Sequence, residues 1–152
     1  MQKPINKQLY GAACSYLAMR EHGATELFKK LKKKYPEVIE SEINELIDFL
    51  KDKNFQSDTR YLEMLIKSRY NKGYGLNMIR AYVMSKDVNM SMFDQIFYSL
   101  DLDLESSCYS FLEKYSNKDR DKLIRKAVNR GFSYEQVKNN LKKLDNEAND
   151  ML

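Results

Sequence analysis

The residues best suited to chemistry in this chain are basic ones that recur in two stretches, 67–80 and 125–130. Lysine and arginine side chains bind phosphates and carboxylates, and arginine does so through a planar fork of donors. The candidate partner-binding residues are Lys67, Arg69, Lys72, Tyr74, Arg80, Arg125, Lys126 and Arg130, and a secondary basic patch comprises Lys29, Lys30 and Lys33. These residue types indicate binding of an anionic partner rather than a reaction.

Histidine, cysteine and carboxylate residues give no sign of catalysis or of a metal site. His22 is the only histidine, and no cysteine or carboxylate lies at metal-ligand spacing from it. We expect this histidine at a helix end, where it interacts with the last carbonyl groups. Cys14 and Cys108 are isolated thiols without a basic or histidine neighbour that would activate them. The sequence therefore predicts a protein that is not an enzyme and that holds no metal and no cofactor.

Composition favours a helix-rich protein of one domain. The 152 residues include only 5 Gly and 2 Pro, and 26 Lys and Arg stand against 22 Asp and Glu, for a formal net charge of +4. No apolar run approaches the roughly 18–20 residues that a membrane span needs, and no apolar signal core follows the first residues. We expect a monomer in the cytoplasm, without a membrane segment.

Apolar spacing predicts an all-α fold of three tandem three-helix repeats of the helix-turn-helix kind. Third-helix residues recur at constant shifts, with Ile39, Ile43 and Leu46 matching Phe93, Phe97 and Leu100, and then Val137, Leu141 and Leu144. In the second helices, Leu27 and Leu31 match Ile79 and Val83, and then Ile124 and Val128. The repeats cover about 7–53, 57–103 and 104–146 within a single domain, 1–152. Stacking would bury their apolar faces in an elongated, curved solenoid.

Helix ends are also indicated by the sequence. Serine and threonine side chains accept hydrogen bonds from the first amides of a helix, and the predicted N-caps are Thr25, Ser57, Ser91 and Ser133. From Asp145 to Leu152 the apolar period is lost, so this segment is expected to fray.

The repeats place many basic residues on second helices. If Leu27 and Leu31 point inward, Lys29 and Lys33 point outward. The predicted equivalent pairs are Lys29 with Lys126, Lys33 with Arg130, and Arg80 with Arg125. Such repetition predicts a basic band along the protein. The alternative is a set of ordinary solubilising charges that nearby acidic residues balance. Most tyrosines fall on or near the inward stripes and are expected to be core residues with a hydroxyl at the rim, and Tyr74, inside the turn, fits this expectation least.

The Gly73-Tyr74-Gly75 sequence lies between two helical patterns and is predicted as an inter-helix turn. No strand precedes it, and the Lys and Ser or Thr that end a nucleotide-binding loop are absent. Glycine adopts positive φ without a steric penalty, so we predict that Gly73 or Gly75 has positive φ.

The stretch from Lys67 to Ala81, KSRYNKGYGLNMIRA, resembles the central motif of the RecX family, bacterial regulatory proteins that act on RecA recombinase filaments. Matching pieces follow the spacing of that family, and they are Tyr16-Leu17-Ala18-x-Arg20-x-His22-x-x-x-Glu26-Leu27-x-x-x-Leu31, Asp58-x-Arg60-Tyr61 and Arg130-Gly131-Phe132-Ser133-Tyr134. Together they cover about residues 9–144. The chain departs from the family pattern at Leu76, where proline is common, and at Gln56-Ser57-Asp58, where Leu-Asp-Asp is usual.

The resemblance implies a helical-repeat protein that binds the RecA filament on single-stranded DNA. It also implies that the protein mainly inhibits the ATPase, strand-exchange and LexA co-protease activities of RecA in recombination and SOS repair. The alternative is a helical module that binds single- or double-stranded DNA directly through the basic band. The modest net charge weighs against that alternative, and helix 76–86 offers only Asn77 and Arg80 for reading base edges.

Overall fold

The computed structural model describes residues 6–151. Its α-helices are α1 Lys7–Met19, α2 Ala24–Lys34, α3 Glu40–Asp52, α4 Asp58–Asn71, α5 Leu76–Met84, α6 Phe93–Ser99, α7 Leu104–Lys114, α8 Arg120–Asn129 and α9 Tyr134–Asp150. A single 3₁₀ turn, Met90–Met92, precedes α6. Within residues 6–151 there is no strand, and the nine α-helices follow one another in three groups of three. The predicted all-α helical-repeat fold is confirmed.

The chain packs as two compact units. Unit 1 comprises the described residues up to Met64 together with Lys86–Ile96. Unit 2 comprises Leu65–Ser85 together with the residues from Phe97 to the end of the described chain. That the chain is a single domain of three repeats remains a prediction.

Each unit has its own apolar core. In unit 1 the most deeply buried residues of α1 to α3 are Leu9, Ala13, Leu27, Leu31, Ile43 and Leu50. In unit 2 the cluster formed by α7, α8, α9 and the α8–α9 junction contains Cys108, Leu112, Leu123, Ala127, Phe132, Val137 and Leu141. Burial of each large aliphatic side chain contributes about 1.5–3 kcal/mol to stability. These cores fix the helices that carry the functional side chains.

The predicted inward positions of α8 are wrong by one residue. Leu123 and Ala127 are buried, whereas Ile124 is half-buried and Val128 is 40% exposed. The reason lies at the N-cap, because α8 begins after Asp119 and its fourth residue, Leu123, is the inward one. Leu27 and Ile79 stand in the same place after the N-caps of α2 and α5. The predicted pairs Lys29 with Lys126, Lys33 with Arg130 and Arg80 with Arg125 are therefore wrong, and counting from the N-caps pairs Lys29 with Arg125 and Lys30 with Lys126.

Ile39 is a second departure, because it was expected to be inward and is 57% exposed. It is the extended N-cap of α3, so it precedes the helix and lies outside its inward stripe. Phe93 and Val137 lie inside their helices and are buried. The next position of the pattern holds in all three repeats, since Ile43, Phe97 and Leu141 are buried in turn, with Phe97 the most exposed of them at 9%.

Helix ends agree only in part with the predicted caps. Ser57 and Ser133 accept hydrogen bonds from amides three residues ahead, at 3.2 and 3.1 Å. Thr25 and Ser91 are not N-caps. The first amide of α2, that of Ala24, instead donates to Asp58 Oδ1 at 2.9 Å, and Asn89 caps the 3₁₀ turn.

The expected fraying from Asp145 is wrong, because α9 continues to Asp150. Polar contacts with the preceding helices support this last part of α9. Arg120 pairs with Asp145 at 3.0 Å, and the Tyr109 hydroxyl donates to the Glu147 carboxylate. This hydrogen bond raises the pKa of Tyr109 to about 12. Leu152 lies outside the described residues.

Candidate partner-binding surface

The Gly73-Tyr74-Gly75 turn of unit 2 is held against the α8–α9 junction by backbone hydrogen bonds. The Gly75 amide donates to the Arg130 carbonyl at 3.0 Å, and the Asn77 amide donates to the Gly131 carbonyl at 3.0 Å. Two of the stretches that carried the family resemblance thus meet directly. Their contact positions the aromatic and basic side chains described below.

The two glycines of the turn are required for different reasons. Gly73 has φ +83°, which confirms positive φ at one of the two positions. Gly75 has φ −83°, so backbone conformation does not require glycine there. Instead, a Cβ atom on Gly75 would lie 2.4 Å from the Gly131 carbonyl carbon, closer than any real contact. Gly75 is needed because the two backbones approach so closely.

Arg130 joins the turn to the α8–α9 junction through both its guanidinium and its backbone. It is the C-cap of α8, and its Nη2 and Nε donate to the carbonyls of Lys72 and Gly73, the latter at 3.4 Å. The guanidinium carbon lies 4.0 Å from the centre of the Tyr74 ring. Arginine fits this place because its planar group binds carbonyls at its edge while its face stacks on a ring.

Arg69, from the last turn of α4, is a second guanidinium close to aromatic rings. Its guanidinium carbon lies 3.6 Å from the centre of the Tyr82 ring and 5.7 Å from that of Tyr74. The Arg69 Nε atom is buried and has no hydrogen-bond acceptor among the described residues. Aromatic rings are therefore the principal partners of this charge.

A third contact extends the row toward α7 and α8. Lys126 Nζ lies 3.6 Å from the centre of the Tyr115 ring, whose centre is 4.9 Å from that of Phe111. Phe111 in turn lies 5.9 Å from the Arg130 guanidinium carbon. The resulting row is Tyr82, Arg69, Tyr74, Arg130, Phe111, Tyr115 and Lys126, which we term the cation–aromatic ladder. All of its members belong to unit 2.

Other predicted site residues lie outside the ladder. Lys67 is exposed on α4, and Arg80 is half-buried on α5. Each stands two residues from a ladder member on its own helix, which is about 200° around the axis. Lys72 contributes its carbonyl to Arg130, while its side chain is exposed. Arg125 is exposed beside Lys126.

The secondary basic patch belongs to unit 1, where two of its three lysines have polar partners. Lys29 forms an ion pair with Asp87 at 2.5 Å, and both side chains are about two-thirds exposed. Lys30 lies 2.9 Å from His22 Nε2 and over the Tyr16 ring. Lys33 is exposed.

His22 is buried, with 1% of its surface exposed, and its two nitrogens have different partners. Because a lysine ammonium can only donate, Nε2 accepts from Lys30 and Nδ1 donates to the Arg20 carbonyl at 3.0 Å. Arg20 is the C-cap of α1, so the expected contact with a carbonyl at a helix end is confirmed. Burial lowers the pKa of His22, and the Arg20 and Lys30 charges lower it further.

The sequence interpretation missed the pairing of cations with rings. Tyr82, Phe111 and Tyr115 were treated as core residues or left out of the site. A signal exists, because each repeat pairs a residue at the end of its first helix with one in its second helix. These pairs are Tyr16 with Lys30, Arg69 with Tyr82, and Tyr115 with Lys126. In the middle repeat the cation and the ring exchange places.

Histidine, cysteine and carboxylate residues are the side chains that most often bind metals or form covalent intermediates. No group of three or more histidine, cysteine, aspartate or glutamate residues there is arranged to hold a metal ion. Burial raises the pKa of Cys108 to about 12, so this thiol stays protonated at neutral pH.

In residues 6–151 no helix has both the length and the apolar character to cross a bilayer.

Comparisons with known proteins place the chain among named relatives and solved structures. No protein-family model matches the sequence. The chain is similar to the regulatory protein RecX of Acinetobacter baylyi, with 27% identity over 92% of this chain and 90% of that one. It is 30% identical to the regulatory protein RecX of Cronobacter sakazakii, over 70% of each. The crystal structure of RecX from Lactobacillus salivarius matches with a TM-score of 0.76 at 22% identity, covering 91% of this chain and 95% of that one, and shows a shared fold.

Proposed function

Since the chain belongs to the RecX family of regulatory proteins, we propose that it binds the RecA filament on single-stranded DNA and restrains it. In this proposal it limits the ATPase, strand-exchange and LexA co-protease activities of RecA during recombination and SOS repair, in the cytoplasm. The protein acts by binding and catalyses no reaction itself.

The observation that carries the proposal is the cation–aromatic ladder. It is built on the Gly-Tyr-Gly turn, the stretch that most resembles the family motif. In the contacts described for them, Arg69, Arg130 and Lys126 meet rings and carbonyl groups rather than carboxylates. Such contacts orient a cation without cancelling its charge, so the field of the ladder can attract the negatively charged filament.

A second candidate function is direct binding of single-stranded nucleic acid. The alternation of rings and cations in the ladder favours it, because bases stack on aromatic and guanidinium planes while cations bind the backbone phosphates. The two functions are compatible, since the filament encloses a single strand.

The test of the main proposal reverses three charges that no core packing requires. In Lys72→Glu/Arg125→Glu/Lys126→Glu the changed side chains are exposed or at the edge of the ladder. Arg130 is left intact because it holds the turn. The control, Lys51→Glu/Lys142→Glu/Lys143→Glu, makes the same change in charge at exposed lysines elsewhere.

We expect the control to suppress the DNA-dependent ATPase of RecA as the wild type does. The triple charge-reversal variant should need about tenfold more protein for the same suppression, since three screened contacts of about 0.2–1 kcal/mol each together contribute about 1–3 kcal/mol. Circular dichroism would verify that both variants are folded. Equal suppression by both variants would show that this surface is not the one that meets the filament.

A further inference from the structure

Beside the ladder, unit 2 contains an open cleft of about 450 Å³ between the end of α4 and α7. The cleft reaches from the Tyr70–Gly73 segment to the serine-rich face of α7, and Arg130 lies on its wall. Pockets that hold small organic groups usually measure about 300–1,000 Å³. The cleft therefore has room for one nucleotide-sized group.

The charge of the cleft distinguishes it from its neighbours. Its described lining includes three cations, Lys72, Lys114 and Arg130, and no carboxylate. By contrast, the neighbouring cleft, which shares Ser106 and Ser110 with the first, is lined by two carboxylates and one cation, Glu105, Glu147 and Lys143. An anionic ligand is accordingly favoured in the first cleft and disfavoured in the second.

The remaining lining residues supply aromatic surface and one unused hydroxyl group. Phe111 and Tyr115 are half-buried and pack together, so they present part of their rings to the cleft. The hydroxyls of Ser106 and Ser107 donate to Asp103, whereas Ser110 has no partner among the described residues and is exposed. A ligand that occupies the cleft can thus bond to the Ser110 hydroxyl without breaking an existing contact.

We infer that this cleft binds one nucleotide of a single-stranded nucleic acid, with the base against the aromatic wall and the phosphate between Lys72 and Lys114. A duplex fits less well, because its bases are already paired and stacked and offer no free face. An acidic peptide would use the cations but would leave the rings without a stacking partner. The inference deepens the proposed function and rests on it for the source of the strand, which is the DNA inside the filament.

The experiment measures fluorescence anisotropy with a labelled oligothymidylate of about ten nucleotides, a length in the usual range for single-strand binders. The cleft variant is Ser110→Glu/Lys114→Glu, which puts two carboxylates in the cleft. The matched control is Ser41→Glu/Lys142→Glu, which makes the same two substitutions at exposed positions elsewhere.

We expect the cleft variant to bind the strand at least about tenfold more weakly than the wild type, which corresponds to the loss of about one stacked base. The control should stay within about twofold. Unchanged binding by the cleft variant would overturn the inference. So would wild-type binding that favours a duplex of the same length, or a polyglutamate peptide, over the single strand.

A second measurement uses the wild-type protein, so that it does not depend on how the variants fold. A strand that carries 5-iododeoxyuridine should crosslink to Tyr70, Phe111 or Tyr115, and crosslinks confined to other parts of the chain would contradict the assignment. Suppression of the RecA ATPase by the wild type is measured in parallel. Its absence would overturn the proposed function and leave the oligonucleotide result to decide on the cleft.

Discussion

Unit 1 and unit 2 both contain many cations, and both place some of them over rings, as Lys30 over Tyr16 in unit 1. They differ in that the ladder cations of unit 2 have no carboxylate among their described partners, whereas several cations of unit 1 do. In unit 1 several cations pair with carboxylates, and these pairs are Arg20 with Glu26 at 2.8 Å, Arg60 with Glu21 at 2.9 Å, and Lys29 with Asp87 at 2.5 Å. In unit 2 the ladder cations lie on rings, and these pairs are Arg69 with Tyr82, Arg130 with Tyr74, and Lys126 with Tyr115. Arg120 of unit 2 does pair with Asp145, but outside the ladder.

This difference separates charges that support the fold from charges available to a partner. A carboxylate cancels the field of the cation that it binds, whereas a ring fixes the position of the cation and leaves its charge in place. Counting lysines and arginines along the sequence does not make this distinction. The following predictions test whether the two units differ in the way the contacts indicate.

The largest expected effect concerns the close backbone approach in unit 2. Gly75→Ala places a Cβ 2.4 Å from backbone atoms of Gly131, so the turn must separate from the α8–α9 junction. We expect a loss on the order of 3 kcal/mol in the free energy of unfolding. Gly23→Ala in unit 1 places its Cβ 2.8 Å from the buried Tyr61 ring, which is a side chain rather than backbone, so we expect a smaller but still measurable loss.

The measurement is urea denaturation of both variants, with Gly73→Ala as a third. Gly73 has positive φ, but a Cβ there meets only the end of the Arg130 side chain, at 3.7 Å. Its cost should be about 1–2 kcal/mol, that of a left-handed conformation for a residue with a Cβ. If Gly23→Ala proves more destabilising than Gly75→Ala, the close backbone contact between Gly75 and Gly131 contributes less to stability than its geometry indicates.

An intermediate effect is expected at His22, the buried titratable group of unit 1. In the unfolded chain the imidazole of His22 has the ordinary pKa of about 6.5. In the folded protein, burial lowers the pKa of His22 below that value. The unfolded state therefore binds more protons at pH values between the two pKa values, and stability should fall as the pH drops below about 7, through 6.5 and on toward the lower pKa of the folded state. Protonation would also place a second positive charge against Lys30, with Arg20 nearby and only Glu26 to offset them.

The His22→Gln variant tests this dependence, because an amide keeps a donor and an acceptor but does not titrate in this range. Thermal melts at pH 7.5, 6.5 and 5.5 should show a smaller decrease for the variant than for the wild type. Parallel curves for the two proteins would mean that another group causes the acid sensitivity.

The smallest effect is expected for the exposed pair Lys29 with Asp87 of unit 1. Both side chains are about two-thirds exposed, so water and salt screen their attraction. Lys29→Gln should unfold at the same urea concentration as the wild type, and it should suppress the RecA ATPase equally well. Weaker suppression by this variant would show that unit 1 also contributes charge to the partner, and the contrast between the units would then be reduced.

Much of the fold follows from apolar spacing. Within each helix the buried residues, such as Leu27 in α2, Ile43 in α3 and Leu65 in α4, belong to a stripe of apolar residues with helical spacing. The inward face of a short helix is harder to predict when two adjacent residues are both apolar. In α8 both Leu123 and Ile124 are apolar, and only the N-cap at Asp119 decides which of them points inward. This shift by one residue also changed which basic residues were taken as equivalent.

The candidate site was predictable in its residue types but not in its pairings. Arg69, Tyr74 and Arg130 were all identified from the sequence, because the motif around the turn is distinctive. Their stacking depends on the contact between residues 73–77 and the α8–α9 junction, which are far apart in the chain. Helical periodicity describes only neighbours along one helix, so it does not report a contact of this kind.

The backbone pairing between the turn and the α8–α9 junction has a consequence for folding kinetics. Each partner is a local structure that can form early, but joining them closes a long loop, whose entropy must be overcome before the contact is gained. We therefore expect this pairing to form after the main folding barrier. Weakening it should speed unfolding and leave refolding nearly unchanged, as stopped-flow measurements on Gly75→Ala would reveal. On this view the two facing glycines set how long unit 2 stays folded rather than how quickly it folds.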